Sequence, residues 1–311
     1  MLKHKHLIDL KNYSIDEIYE ILDLARSFKE VNDRAIKKLP TLRGRTIINL
    51  FLEPSTRTRT SFEIAGKRLS ADTINMSASA SSTTKGESLS DTAETLNAMN
   101  CDLVIVRHRM AGAPRILARH MDCHVINGGD GKHLHPTQAL LDLYTIREQI
   151  GSFEGKRIGI VGDILHSRVA GSLAPALKAL GAQPIFIGPA TLMPARPDIL
   201  GAQCASNLDE VLPTLDVVYM LRIQMERLEN APIPSTREYA FLYGINSKRM
   251  EMMKDEAIIM HPGPINRGVE LSADAADSSR TVILDQVNAG VAVRMAAMYL
   301  LLGGDSSEDA S

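Results

Sequence analysis

Four consecutive residues able to hold an oxyanion, Ser55-Thr56-Arg57-Thr58, stand where an apolar run, Thr46 to Phe51, gives way to a helical pattern. A helix start is a ready anion site, because its first N–H groups have no intrahelical partner and its dipole is positive. The hydroxyls add donors, and Arg57 adds a planar fork that matches phosphate oxygens. An ordinary helix cap needs one Ser or Thr, whereas this segment supplies three hydroxyls and a guanidinium. A second cation, Arg107, ends the apolar run Leu103 to Val106, at the carboxyl edge where open α/β sheets bind ligands. His135 opens a helix as His-Pro-Thr-Gln138; alone, a histidine is more often structural than catalytic, and eight others share this chain.

These residues need a scaffold of alternating strands and helices. Ser14-Ile-Asp-Glu17 reads as a capping box, followed by Ile18, Ile21, Leu22, Ala25 and Phe28 on one helical face. Strand-like runs at Thr46–Phe51, Thr73–Met76, Leu103–Val106 and His124–Asn127 alternate with helical stretches at Ser55–Leu69, Ser88–Met99 and Pro114–His120. The amphipathic run Pro136 to Ile150, stopped by Gly151, makes a bridge to a second series. There Arg157–Val161, Pro184–Ile187, Val217–Leu221 and Ala257–Met260 read as strands and Arg168–Leu180 as a helix. Two doubly wound parallel-sheet domains of the α/β class follow, over 1–145 and 146–285. An apolar helix runs from Asp285 to Leu301, and the segment 286–311 returns to the first domain and ends in a polar tail.

Composition narrows the function classes. At 311 residues the chain exceeds one ordinary core, and 44% hydrophobic with 23% charged residues is globular. With 35 basic and 37 acidic residues the net charge is −2, so neither nucleic acid nor an anionic membrane is drawn to the chain as a whole. Cys101, Cys123 and Cys204 have neither CxxC nor finger spacing, which suits a reducing, cytoplasmic compartment. No stretch has the length of a membrane span or a signal core. The polar stretch Ser77-Ala-Ser-Ala-Ser-Ser-Thr-Thr-Lys-Gly86 reads as a mobile loop with a lysine at its tip. A lysine so placed is ordinarily a solvated surface group. Ile158-Gly-Ile-Val-Gly-Asp163 is an incomplete dinucleotide fingerprint, and its glycines are better read as serving tight strand–helix packing.

The chain resembles the aspartate and ornithine carbamoyltransferases, whose signature is Ser-Thr-Arg-Thr-Arg after a strand. The likeness runs in family order through Lys85-Gly-Glu-Ser88, Val106-Arg-His108, His135-Pro-Thr-Gln138, Val161-Gly-Asp163 with Arg168, Arg222-Ile-Gln224 with Arg227, and His261-Pro-Gly-Pro-Ile-Asn-Arg267. It is closer to the aspartate branch: ornithine enzymes carry His-Cys-Leu-Pro and Ser-Met-Gly where this chain has His-Pro-Gly-Pro and Arg-Ile-Gln. Paired arginines suit a dicarboxylate, whereas a second amine needs an acidic partner.

The resemblance implies the carbamoyltransferase fold and transfer of a carbamoyl group from carbamoyl phosphate to L-aspartate, early in pyrimidine biosynthesis. It implies donor binding by Ser55, Thr56, Arg57, Thr58, Ser81, Arg107, His135 and Gln138. Of these, Thr58, Arg107 and His135 would face the carbonyl oxygen as it gains charge, and Gln138 would accept or donate at the carbamoyl amide. Lys85, Arg168, Arg222, Gln224, Pro262 and Gly263 would receive aspartate; Arg57, Thr58, Lys85, Arg107, His135 and Gln138 would act in catalysis. Domain closure would join the substrates, with Glu53 pairing to Arg168 and Arg227. Ser81 and Lys85 would enter a neighbouring subunit's site, making a homotrimer the active unit, and a larger assembly with regulatory or dihydroorotase-type chains stays open. No metal or cofactor is implied, since the donor is already activated.

His108 has no assigned role. Gly263 stands where many relatives have Leu, which leaves the local shape of the aspartate pocket open. A carbamoyltransferase for another amine and a noncatalytic assembly homologue are the rivals. The second should lack Lys85, His135 or Arg107, and all three are present.

Overall fold

The computed structural model describes residues 2–32, 34–77, 88–223 and 235–303. They divide into two compact α/β units, Met1–Tyr144 with Asn288–Ser311, and Thr145–Val287.

The first unit opens with α1 (Ile15–Asn32), and both halves of its capping box form: Glu17 N–H donates to Ser14 Oγ (3.2 Å) and Ser14 N–H to Glu17 Oε2 (2.9 Å). Then come β1 (Thr46–Phe51), α2 (Thr56–Arg68), β2 (Asp72–Ser77), α3 (Leu89–Ala98), β3 (Leu103–His108), α4 (Ala113–His120), β4 (His124–Asp130) and α5 (Pro136–Ile150), whose last residues from Thr145 belong to the second unit. The four strands are parallel in the order β2-β1-β3-β4. Ile48, Leu50, Val104, Val106 and Val125 are buried with Leu96 and Leu117 of the covering helices.

The second unit contains β5 (Arg157–Val161), α6 (Arg168–Ala179), β6 (Gln183–Ile187), β7 (Gln203–Ala205), α7 (Leu208–Val211), β8 (Val217–Met220), α8 (Thr236–Tyr243), α9 (Ser247–Met252), β9 (Ile258–Met260) and α10 (Ala273–Ala276). Its parallel order is β7-β6-β5-β8-β9. The last helix, α11 (Ile283–Leu302), begins here and continues into the first unit, where Tyr299 meets Phe28 edge to face. Among the described residues no helix is long and apolar enough to cross a membrane.

Strand order reverses between β1 and β3 in the first sheet and between β5 and β8 in the second. Such a reversal sends the flanking connections to opposite faces and opens a crevice at the carboxyl edge. Both crevices carry residues that the sequence singles out.

Gly162, just after β5, sits at φ +128°, and a Cβ there would lie 3.1 Å from the Leu221 carbonyl oxygen and 3.0 Å from Tyr239 Oη. The position requires glycine for conformation and for room. Gly162→Ala should lower unfolding free energy by about 2–3 kcal/mol. A urea midpoint equal to the parent's would contradict this.

Candidate active site

At the first crevice, Phe51 at the end of β1 is paired with Arg107 near the end of β3. After Phe51 the chain turns through Glu53 and Pro54 into α2, with Ser55 as the N-cap residue in extended backbone. Ser55 makes no side-chain capping bond, whereas Ser14, Ser88, Ser167 and Ser235 each spend their oxygen on the helix they precede. Thr56 and Arg57 are exposed and Thr58 half-buried, so the first turn of α2 opens to solvent with N–H groups, hydroxyls and a guanidinium together. Arg107, its side chain 11% exposed, donates through Nη1 to Thr58 Oγ1 (3.4 Å) and the Gly128 carbonyl oxygen (3.3 Å). Its Nη2 lies 3.5 Å from Glu53 Oε1. The cation is thus held between the phosphate-type turn and β4.

The turn from β4 to α5 is organised by Asp130, which is 1% exposed. Its carboxylate accepts from Gly112 N–H (2.7 Å), Leu134 N–H (3.0 Å), Asn127 Nδ2 (2.9 Å) and His133 Nδ1 (3.0 Å). A carboxylate so satisfied fixes the backbone that delivers His135, itself 5% exposed at the start of α5. Gln138 is half-buried one turn on, and its Nε2 donates to Asp142 Oδ1 (3.1 Å). His108 has a structural occupation: its Nδ1 accepts from Met110 N–H (2.9 Å). Burial, helped by the neighbouring Arg109 charge, holds its pKa below the ordinary value and keeps it neutral.

At the second crevice, Arg168 is the first residue of α6 and is 8% exposed; Ser167 caps that helix by accepting from Ala170 N–H (3.2 Å). Asp163, buried after β5, accepts from both the backbone N–H (3.1 Å) and Nδ1 (2.9 Å) of His166, which shapes the approach to Arg168. Arg222 follows β8. The next residue, Ile223, donates its N–H to Glu270 Oε1 (2.8 Å), and Asn266 N–H donates to Glu270 Oε2 (2.7 Å). Asn266 Nδ2 also donates to the Ile223 carbonyl oxygen (3.1 Å). Glu270 therefore laces the Arg222 segment to the 261–267 loop. Burial raises its pKa, and the hydrogen bonds from Ile223 and Asn266 oppose that rise. In the same loop Gly263 N–H donates to His261 Nδ1 (2.8 Å), and His261 N–H to Gln286 Oε1 (3.0 Å), which fixes the half-buried Pro262 and Gly263.

The first unit thus groups Ser55, Thr56, Arg57, Thr58, Arg107, His135 and Gln138 along one sheet edge, and the second groups Arg168, Arg222, Pro262 and Gly263 along another. Ser81, Lys85, Gln224 and Arg227 lie outside the described residues. Sequence reasoning missed the buried acids Asp130, Asp142 and Glu270 that hold these groups. The only signal was an acidic residue one turn after, or in the loop beside, a candidate site residue.

Two family descriptions cover the chain: "Aspartate/ornithine carbamoyltransferase, carbamoyl-P binding domain" matches residues 5–148, and the corresponding "Asp/Orn binding domain" matches 154–301. The chain is 55% identical to the aspartate carbamoyltransferase catalytic subunit of Syntrophotalea carbinolica, over 99% of this chain and 98% of that one. It is 52% identical to that of Halothermothrix orenii, over 99% and 98%. Among solved structures it is similar to aspartate transcarbamoylase from Trypanosoma cruzi in complex with carbamoyl phosphate and aspartate, with TM-score 0.85, 32% identity and coverage of 96% and 97%. Ornithine carbamoyltransferase from Pyrococcus furiosus gives TM-score 0.86 at 28% identity, with the same coverage. Backbone shape does not separate the two acceptors.

Proposed function

The chain belongs to the aspartate/ornithine carbamoyltransferase family, and from that premise we propose how its residues divide the work of its reaction. It transfers the carbamoyl group of carbamoyl phosphate to the amino group of L-aspartate, giving N-carbamoyl-L-aspartate and phosphate, a step of pyrimidine biosynthesis.

A new C–N bond forms at the carbamoyl carbon, the C–O bond to phosphate breaks, and the proton that the amine gives up leaves on the phosphate. Negative charge grows first on the carbonyl oxygen and then on the departing phosphate. In our reading the first turn of α2 holds the phosphate through Ser55, Thr56, Arg57 and Thr58. Thr58, Arg107 and His135 face the carbonyl oxygen, whose charge they stabilise because their positions are fixed before reaction. Gln138 meets the carbamoyl amide. Arg168 and Arg222 take the two carboxylates of aspartate, with Gln224 beside them, and the Pro262 and Gly263 carbonyls orient its amine. The observation that carries the donor half is the Ser55 N-cap, whose hydroxyl is not spent on its own helix although Arg107 stands at the adjoining strand end.

The assembly belongs to the same proposal: a homotrimer in which Ser81 and Lys85 of a neighbouring subunit complete each site, with further regulatory or dihydroorotase-type chains as optional additions. Its support is the family likeness of Lys85-Gly-Glu-Ser88. We place the enzyme in the cytoplasm, which fits three free thiols, two of which, Cys101 and Cys123, share a hydrogen bond at 3.7 Å.

The acceptor half is tested by phosphate release from carbamoyl phosphate with aspartate or ornithine. Aspartate should support turnover and ornithine should give about 10³-fold less, because the arginine pair leaves an amine without a partner. Faster release with ornithine would overturn the assignment of Arg168 and Arg222.

A further inference from the structure

Two charged groups are buried in the first unit beyond the roles given above. Asp142, one turn beyond Gln138 on α5, is 0% exposed, and Arg294 in the middle of α11 is 4% exposed. The Arg294 guanidinium lies over the Phe62 ring at 4.9 Å and donates through Nη1 to Ser61 Oγ (2.7 Å) and the Gly290 carbonyl oxygen (3.1 Å). Both contacts on α2 belong to the helix whose first turn is the phosphate mouth. Burial brings the Arg294 pKa down to about 10, the Asp142 charge works against that, and Arg107 adds to it, so Arg294 feels both charges and stays cationic at neutral pH. Space for the guanidinium is made by Gly290, where a Cβ would fall 2.7 Å from Nη1. Burying two charges is costly, and a hydrophobic pair would pack as well. What a carboxylate supplies, and a hydrophobic group cannot, is an acceptor that takes only donors.

The Gln138 amide has two faces, a carbonyl and an NH2. With Nε2 committed to the Asp142 carboxylate at 3.1 Å, the carbonyl oxygen is the face left over. We infer that Asp142, with Arg294 as its buried countercharge, is a positioning pair that fixes Gln138 with Oε1 toward the donor, where it accepts from the carbamoyl NH2. This rests on the carbamoyl-transfer reading and adds a source of specificity to it. A ligand with a methyl in place of that NH2 offers the oxygen no donor, so acetyl phosphate, of nearly the same shape, gains nothing from Gln138. The C-terminal helix thereby contributes to substrate choice although none of its residues touches substrate.

The test compares the full-length enzyme with Asp142→Asn and Gly290→Ala. Asparagine keeps the shape but offers both a donor and an acceptor, so Gln138 loses its enforced orientation; alanine at 290 displaces the guanidinium and leaves Asp142 and Gln138 in place. For Asp142→Asn, KM for carbamoyl phosphate should rise about tenfold. The inhibition constants of acetyl phosphate and of inorganic phosphate should stay at the parental value. Gly290→Ala should likewise raise the ratio of the carbamoyl phosphate KM to those inhibition constants, and it carries the test if Asp142→Asn does not fold. Parallel weakening of all three ligands, or no change in any, overturns the inference. If the parent enzyme itself does not turn over carbamoyl phosphate with aspartate, the functional reading fails first; if it does and the variants keep its ratio, only the positioning pair fails.

Discussion

Arg57→Ala should fold with an unfolding midpoint at or above the parent's and yet lose about 10³-fold in turnover. The two halves of this expectation come from one local conflict. Helix N-termini favour acidic side chains and disfavour cations, but the first turn of α2 contains no acid and carries Arg57 and Arg59. Arg57 is exposed, so its removal opens no cavity and relieves a repulsion with the helix dipole. A stability rule broken in this way marks a residue kept for binding. The rate loss follows from charge: phosphate leaves with more negative charge than it has in carbamoyl phosphate, so a guanidinium there acts more strongly on the transition state than on the bound donor. The loss should therefore fall on kcat as well as KM, and Arg57→Lys should recover part of it, since a point charge replaces the fork without its second hydrogen bond. Steady-state rates with a thermal melt decide the matter. Parental turnover in a folded Arg57→Ala enzyme would remove the phosphate from the α2 mouth.

Much of the scaffold was legible because its long elements announce themselves locally. The spans Thr46–Phe51, Pro136–Ile150 and Arg157–Val161 read from the sequence coincide with β1, α5 and β5, since an apolar run or a helical period is bounded there by a capping residue, proline or glycine. The elements that went unread are β7 and α7 to α10, of three to eight residues each. A three-residue strand such as Gln203–Ala205 has no period to detect, and it forms because Ile185, Phe186 and Ile187 of β6 offer it an edge. The same divide separates the candidate site residues from their supports. Ser55 to Thr58 and His135 to Gln138 are contiguous words, whereas Glu270 acquires meaning only when folding brings Ile223 and Asn266 to it. Asp142 is four residues from Gln138 and so was within reach of a helical reading, but nothing in the sequence says that Arg294, more than a hundred residues away, stands behind it. His108 is the converse: a histidine next to Arg107 looks chemical, and its Nδ1 is engaged by the backbone of its own turn.

The second large effect concerns Lys85. Lys85→Ala should cut turnover by about 10²–10³-fold without loss of folding or of the proposed trimer, because in the proposed site it removes an ammonium from beside phosphate and carboxylate oxygens. That result alone would not say whose site the lysine serves. Mixing does. In the proposed ring each site uses Arg57 of one chain and Lys85 of the next, so an Arg57→Ala chain still lends a good lysine and a Lys85→Ala chain still keeps a good arginine. Any trimer containing both kinds has one boundary at which the two good residues meet. Random reassembly of equal amounts makes about three quarters of the trimers mixed, each with one intact site in three, so activity should return to about one quarter of the parent's. If Lys85 instead served its own chain, every site would lack one group whatever the mixture, and activity would stay at the level of the separate variants. Exchange by mild denaturation and refolding, followed by separation of hybrids by a tag on one variant, isolates the mixed species. Recovery confined to the hybrids supports sharing, and its absence there would return Lys85 to its own subunit.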